Sequence, residues 1–306
     1  MAEITAGMVK ELREKTGAGM MDAKNALVEN KGDIEAAVDW LRKKGLAKAA
    51  KKSSRTAAEG LVAVEVSGTT GAVVEVNSET DFVARNEEFQ AFVRKVSSAA
   101  VTKAADHASL LTSDIGGKNV QDTLTDLIAK IGENMAVRRM SKLTVSKGTV
   151  VGYMHNAVAP NLGKIGVLVA LQSEGDKAKL EALGKQIAMH VAAAFPQYLR
   201  REDVDASAIE RERDVLREQA KAEGKPADIV EKMLAGRINK FYEEICLLEQ
   251  KFVIDGETKI SKLLENAAQD VGAPVTLAGY ARIQLGEGIE KEETDFAAEV
   301  AKVANG

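Results

Sequence analysis

The sequence predicts an α+β protein, and three observations carry that class. Apolar residues recur at helical spacing over residues 1–45, a β-hairpin pattern followed by an amphipathic helix occurs twice between residues 60 and 195, and a charged helical stretch over residues 203–245 is broken once by Gly224-Lys-Pro226. The chain has 306 residues, 45% hydrophobic and 29% charged. That is enough for about two domains with real cores. Lys and Arg number 42 against 46 Asp and Glu, and the net charge of -4 argues against a general nucleic-acid-binding surface. No apolar run approaches the ~18 residues of a membrane helix, and the first residues lack a basic flank followed by an apolar leader. The single cysteine, Cys246, cannot form an intramolecular disulfide, so a reducing, cytoplasmic setting is expected.

Thr5 is placed to cap a first helix carrying Met8, Val9 and Leu12, with Gly17 as its stop. Residues 20–30 give a second helix, and Asp33 caps a third in which Ile34, Ala37, Val38 and Leu41 repeat before Gly45. Three short helices make only a small core, so residues 1–45 read as a docking module attached to something larger. Residues 46–59 continue a basic run that starts at Lys43; with no aromatic residues interleaved for base stacking, they read as a solvated linker.

A first subdomain, residues 60–146, opens with strands near 61–66 and 72–76 around the turn Gly68-Thr-Thr-Gly71. A helix capped near Thr80 or Asp81 runs on through Val96, and residues 120–139 supply another with Leu124, Leu127, Ile128 and Ile131 as its stripe. The plan repeats in a second subdomain, residues 147–286. It has strands at 149–155 and 165–172 around a loop with Pro160 and Gly163, then a helix over 177–195, with a strand at 276–285 closing the sheet. Two similar α+β subdomains with antiparallel sheets, made by internal duplication, fit this recurrence. Residues 203–245 are too sparsely apolar to be buried all round and read as a projecting helical hairpin inserted in the second subdomain. Residues 287–306 end in a short helix with Phe296, Val300 and Val303 on one face.

Catalytic constellations do not emerge. Gly116-Gly-Lys118 lacks the upstream glycine and the hydroxyl residue of a P-loop, and the three histidines, His107, His155 and His190, stand in separate segments without metal-ligand spacing. His190 reads as a helix histidine satisfying a core or interface hydrogen bond, and Cys246 as a small buried hydrophobe. One segment is out of character: Asn77-Ser-Glu-Thr-Asp-Phe-Val-Ala-Arg-Asn86 places a phenylalanine in a polar turn directly after a carboxylate. Thr80 can cap that helix while Phe82 folds back as a core staple, or Phe82 can be displayed for a partner.

Thr16-Gly-Ala-Gly-Met-Met-Asp22, Lys48-Ala-Ala-Lys-Lys52, Glu79-Thr-Asp-Phe-Val-Ala-Arg-Asn86, Ile131-Gly-Glu-Asn134 and Gly286-Glu-Gly-Ile-Glu-Lys291 follow one another along the chain. With them the sequence resembles the bacterial translation elongation factor Ts family over its whole length. The resemblance implies a guanine nucleotide exchange factor with no bond-making chemistry, cofactor or metal of its own. Its partner would be elongation factor Tu in the GDP form, with no nucleic acid or membrane involved. Residues 1–45 would form a module like the ubiquitin-associated fold, docking through Met20, Met21 and Lys24. Thr80, Asp81, Phe82 and Val83 match the segment that enters near the partner's magnesium and switch region, with Phe82 as the wedge. Ile131, Gly132, Glu133 and Asn134 match a segment that meets a nearby partner helix; His155, Phe252 and Val253 match contacts toward its other domains. Phe296 and Val300 belong to a C-terminal helix that would pack on the partner's GTPase domain. Dimerisation or higher assembly through the helical hairpin is left open. The alternative class is an adaptor without exchange activity, built on the three-helix module or on RNA binding by the basic run.

Overall fold

The computed structural model describes residues 4–16, 18–224 and 227–290; the expected C-terminal helix with Phe296 and Val300 lies outside the described residues. The chain divides into two compact units, the first made of residues 1–63, 74–140 and 284–306 and the second of residues 64–73 and 141–283. Helices and antiparallel strands are mixed throughout, as the α+β class requires.

In the first unit, α1 (Ala6–Thr16), α2 (Met20–Glu29) and α3 (Ile34–Ala50) pack around Leu12, Ala23, Ala26, Leu27 and Ala37. The caps are those the sequence suggests: the Thr5 hydroxyl accepts from the Met8 amide at 3.3 Å and the Asp33 carboxylate from the Ala36 amide at 3.0 Å. Strands β1 (Glu59–Ser67) and β2 (Thr70–Ser78) form the first hairpin, followed by α4 (Asp81–Ala84), α5 (Glu87–Thr102), α6 (His107–Thr112) and α7 (Val120–Ile131). Phe89, Phe92, Val93 and Val96 of α5 and Leu124, Leu127 and Ile128 of α7 are buried.

Three boundaries differ from the sequence reading. Helix α3 passes through Gly45 to Ala50, so residues 46–50 are helix and not linker; Gly45 is buried facing α7, where an added Cβ would lie at ordinary contact distance, 3.7 Å, from Ala129. The helix expected to run from Thr80 to Val96 is two, because Asn86 caps α5 afresh, accepting from the Glu88 and Phe89 amides at 3.0 Å each. Helix α7 stops at Gly132, whose φ of 90° is left-handed, and Met135 and Val137 then alternate inward as the start of strand β3 (Met135–Thr144). The Glu75 carboxylate, fully buried on β2, accepts from Arg138 and Arg139 of β3 and from the Gly286 amide.

The second unit contains β4 (Gly148–Ala159), β5 (Leu162–Gln172), α8 (Lys177–Ala194), α9 (Ala206–Ala222), α10 (Ala227–Ile245), α11 (Ile260–Val271) and β6 (Thr276–Gln284). Within this unit β5 pairs with both β4 and β6. Strands β4 and β5 are antiparallel, with Val150 opposite Ala170 and His155 opposite Ile165, and a bulge between Ala157 and Ala159. Val167, Val169 and Leu171 of β5 meet Leu180, Ile187 and Val191 of α8 and Ile260 and Leu264 of α11 in the core. Asp176 caps α8, as the helix expected over 177–195 needs, by accepting from the Lys179 amide at 3.0 Å. The charged stretch forms the helical hairpin α9–α10, joined through Ile209, Leu216, Leu234 and Ile238. Helix α11 was not anticipated, although Ile260, Leu263, Leu264, Ala267 and Val271 carry helical spacing.

Candidate functional site

Phe82 does not fold back into the core. It sits in the first turn of α4 with 75% of its side chain exposed, next to exposed Asp81, while Val83 and Ala84 of the same turn are buried. The core-staple reading is thereby overturned, and Val83 serves as an anchor instead of a contact surface. Thr80 occupies the N-cap position but makes no side-chain cap bond. Its hydroxyl donates to Glu133 Oε1 at 2.7 Å and its amide donates to Glu133 Oε2 at 3.0 Å. The hydroxyl proton goes to the carboxylate in a charge-assisted bond, and the hydroxyl oxygen accepts from no amide of the turn. Asp81 makes a loose 3.8 Å ion pair with Arg85, both exposed.

The half-buried residues 131–134 stand beside this turn. The Asn134 amide donates to Glu79 Oε1, the Asn134 Nδ2 donates to the Arg55 carbonyl at 2.7 Å, and the Lys52 ammonium donates to the Gly132 carbonyl at the end of α7. Arg55 also reaches Glu79 at 3.5 Å. Thus the basic run is not a solvated spacer. Lys44 and Lys48 pair with Asp22 at 3.1 and 3.2 Å, and this pairing, the hydrogen bond from Lys44 foremost, lowers the Asp22 pKa against its partial burial. No local spacing in the sequence announces these partners, which lie roughly 20 to 80 residues apart along the chain.

On the three-helix module, Met20 and Met21 are 62% and 67% exposed, with Lys24 exposed on the same helix and Val28 exposed one turn on. A groove of about 750 Å³ opens between α3 and helices α5 and α7, but its charges largely pair off, as in Lys130 with Glu88 at 2.7 Å and Lys118 with Asp126 at 2.6 Å. Among the described residues there is no cluster of His, Cys, Asp or Glu suited to a metal ion, and no helix long and apolar enough to cross a membrane.

The family model described as elongation factor TS matches residues 79–287, more than half of the chain. The chain belongs to the elongation factor Ts family. Curated relatives named elongation factor Ts include that of Rhodospirillum centenum, 63% identical over 99% of this chain and 100% of its own length. Those of Paramagnetospirillum magneticum and Parvibaculum lavamentivorans are 63% and 59% identical, over 99% and 100% of this chain and 98% and 100% of their own lengths.

The remaining positions picked out by likeness to elongation factor Ts lie in the second unit. His155 is exposed near the end of β4, its Nδ1 3.1 Å from the Tyr153 hydroxyl. Phe252 is buried in the core and so offers no surface, whereas Val253 and Ile254 after it are exposed. Fully buried His190 holds this segment: its Nδ1 accepts from the Val253 amide at 3.2 Å and its Nε2 lies 2.9 Å from Gln250 Oε1, as the core hydrogen-bonding reading anticipates. Cys246 is fully buried, and burial pushes its thiol up to about 11, which makes it unreactive.

Burial pushes the His190 pKa down, against the opposing hydrogen bond to Gln250. Below about pH 6.5 the unfolded chain gains a proton that the native imidazole resists, so stability is lost as pH falls from there toward the lowered native value. Denaturation midpoints measured at constant ionic strength from pH 7.5 to 5 are expected to decline in the wild type, with a shallower decline for His190→Gln. Equal slopes in the two proteins would remove His190 as the cause.

Proposed function

We propose that this chain is a guanine nucleotide exchange factor of translation elongation that acts in the cytoplasm. It binds elongation factor Tu in its GDP form and speeds GDP release by inserting Phe82 near the switch and magnesium region. The observation that carries the reading is the 75% exposure of Phe82 on a turn fixed at both ends. Burying such a ring contributes about 1.5 to 3 kcal/mol, and only a partner with a distorted nucleotide pocket can accept it. Linkage is reciprocal: whatever factor this protein removes from the affinity for GDP, GDP removes from the affinity for this protein.

Met20, Met21 and Lys24 dock the three-helix module on the partner, while His155 and Val253 reach its other domains. No cofactor or metal of the chain's own takes part. The internal engagement of Lys44, Lys48, Lys52 and Arg55 favours this reading over an RNA-binding adaptor, which would need those charges free. The test is release of labelled GDP from the cognate elongation factor Tu. Release should be much faster with this protein than without it, and an unchanged rate at saturating protein would overturn the assignment.

A further inference from the structure

We propose that Glu133 is a positioning residue for Phe82: its carboxylate holds Thr80, the residue at the N-cap position of the α4 turn, and keeps the ring displayed for entry into the partner. The proposal rests on the wedge reading above. All three polar groups of Thr80's backbone and side chain are engaged. Its amide and hydroxyl donate to the two oxygens of Glu133 at 3.0 and 2.7 Å, and its carbonyl accepts from the Ser78 hydroxyl at 3.0 Å. A threonine at this position ordinarily turns its oxygen toward amides two or three residues on, and here that bond is absent.

The turn is therefore tied down from outside at Thr80 and from inside by buried Val83 and Ala84, with Asp81 and Phe82 left between the two anchors. For Phe82 to fold inward, either the Glu133 bonds must break or Val83 must leave the core. Glu133 is itself fixed, because Gly132 before it is in the left-handed region with its carbonyl on Lys52, and Asn134 after it donates to Glu79. Both oxygens of Glu133 are thus occupied within the chain, which suits it to fixing the turn and not to meeting a partner. Fixing the ring before association removes an ordering cost that the exchange complex would otherwise bear.

GDP release from elongation factor Tu is measured with Glu133→Ala, Phe82→Ala, the double variant, Thr80→Val and Thr80→Ser. Glu133→Ala should lower the maximal rate about tenfold, the usual scale for a lost charge-assisted hydrogen bond, with the half-saturating concentration within about twofold of wild type. In the Phe82→Ala background the same change should cost nothing further, Thr80→Val should follow Glu133→Ala, and Thr80→Ser should retain the wild-type rate. A raised half-saturating concentration with losses that add to those of Phe82→Ala would mean that Glu133 touches the partner directly, and would overturn the proposal. Hydrogen exchange at the Thr80 amide gives an independent measure. It should be slow in the free protein and fast in Glu133→Ala, and fast exchange in the wild type would also overturn it. Wild-type release with Phe82→Ala would remove the wedge reading and this proposal together. Wild-type release with Glu133→Ala beside a slow Phe82→Ala would remove this proposal alone.

Discussion

Phe82→Ala is expected to lower the maximal rate of GDP release roughly 10- to 150-fold, the kinetic equivalent of losing a buried aromatic side chain in the exchange complex. Its melting temperature should stay close to that of the wild type, because the ring lies largely in solvent in the free protein and surface substitutions usually change stability by less than about 0.5 kcal/mol. A core phenylalanine would behave oppositely, costing about 3 to 5 kcal/mol of folding stability. Thermal melts and release rates on one preparation separate the two. A variant that melts far below the wild type yet drives exchange at the original rate would sink the wedge. Asp81→Ala should be mild in stability as well, since its ion pair with Arg85 is long and exposed.

Glu75→Ala should be strongly destabilising, at about 3 to 5 kcal/mol for breaking a buried ion pair from one side. Glu75 is fully buried, and beyond Arg138, Arg139 and the Gly286 amide it accepts from Asn77 Nδ2 at 3.0 Å. The two arginines continue to the Glu287 and Gln284 carbonyls at 2.7 and 2.9 Å. One carboxylate therefore joins β2, β3 and residues 284–287. Burial disfavours the charge on Arg139, but Glu75 and Glu287 outweigh it and raise its pKa; a guanidinium stays protonated even without a carboxylate beside it, so removing Glu75 leaves a charge behind. Because the arginine side chains keep 29% and 34% exposure, they can partly rehydrate, which places the expected loss at the lower end of that range. Urea midpoints for Glu75→Ala and Glu75→Gln would measure it, with glutamine recovering part by keeping an acceptor. A shift under about 0.5 kcal/mol for alanine would show that the network is energetically idle.

These two residues mark how far the sequence was legible. Local signals were readable: Thr5 and Asp33 cap helices, Gly68 to Gly71 turns a hairpin, and the interrupted charged stretch is two helices packed on each other. The motif around Phe82 was visible, but its burial was not, since a staple and a displayed ring share the same local pattern. What decided it was Glu133, 53 residues from Thr80. Strand β3 was hidden for a similar reason. Arg138 and Arg139 interrupt its apolar alternation, and their purpose appears only once Glu75, more than 60 residues earlier, is beside them. Phe252 shows the converse limit, for a family match locates a segment without saying which way each side chain faces.

The burial of Cys246 bears on how the molecule can be studied. A sole thiol with no accessible surface and a pKa near 11 is silent toward maleimides at neutral pH, so the natural chain gives almost no labelling background. A cysteine introduced at exposed Val215 on α9 would carry a dye or spin label with the original thiol left in place. Distances from that label to one on elongation factor Tu could then follow the helical hairpin through binding and GDP release.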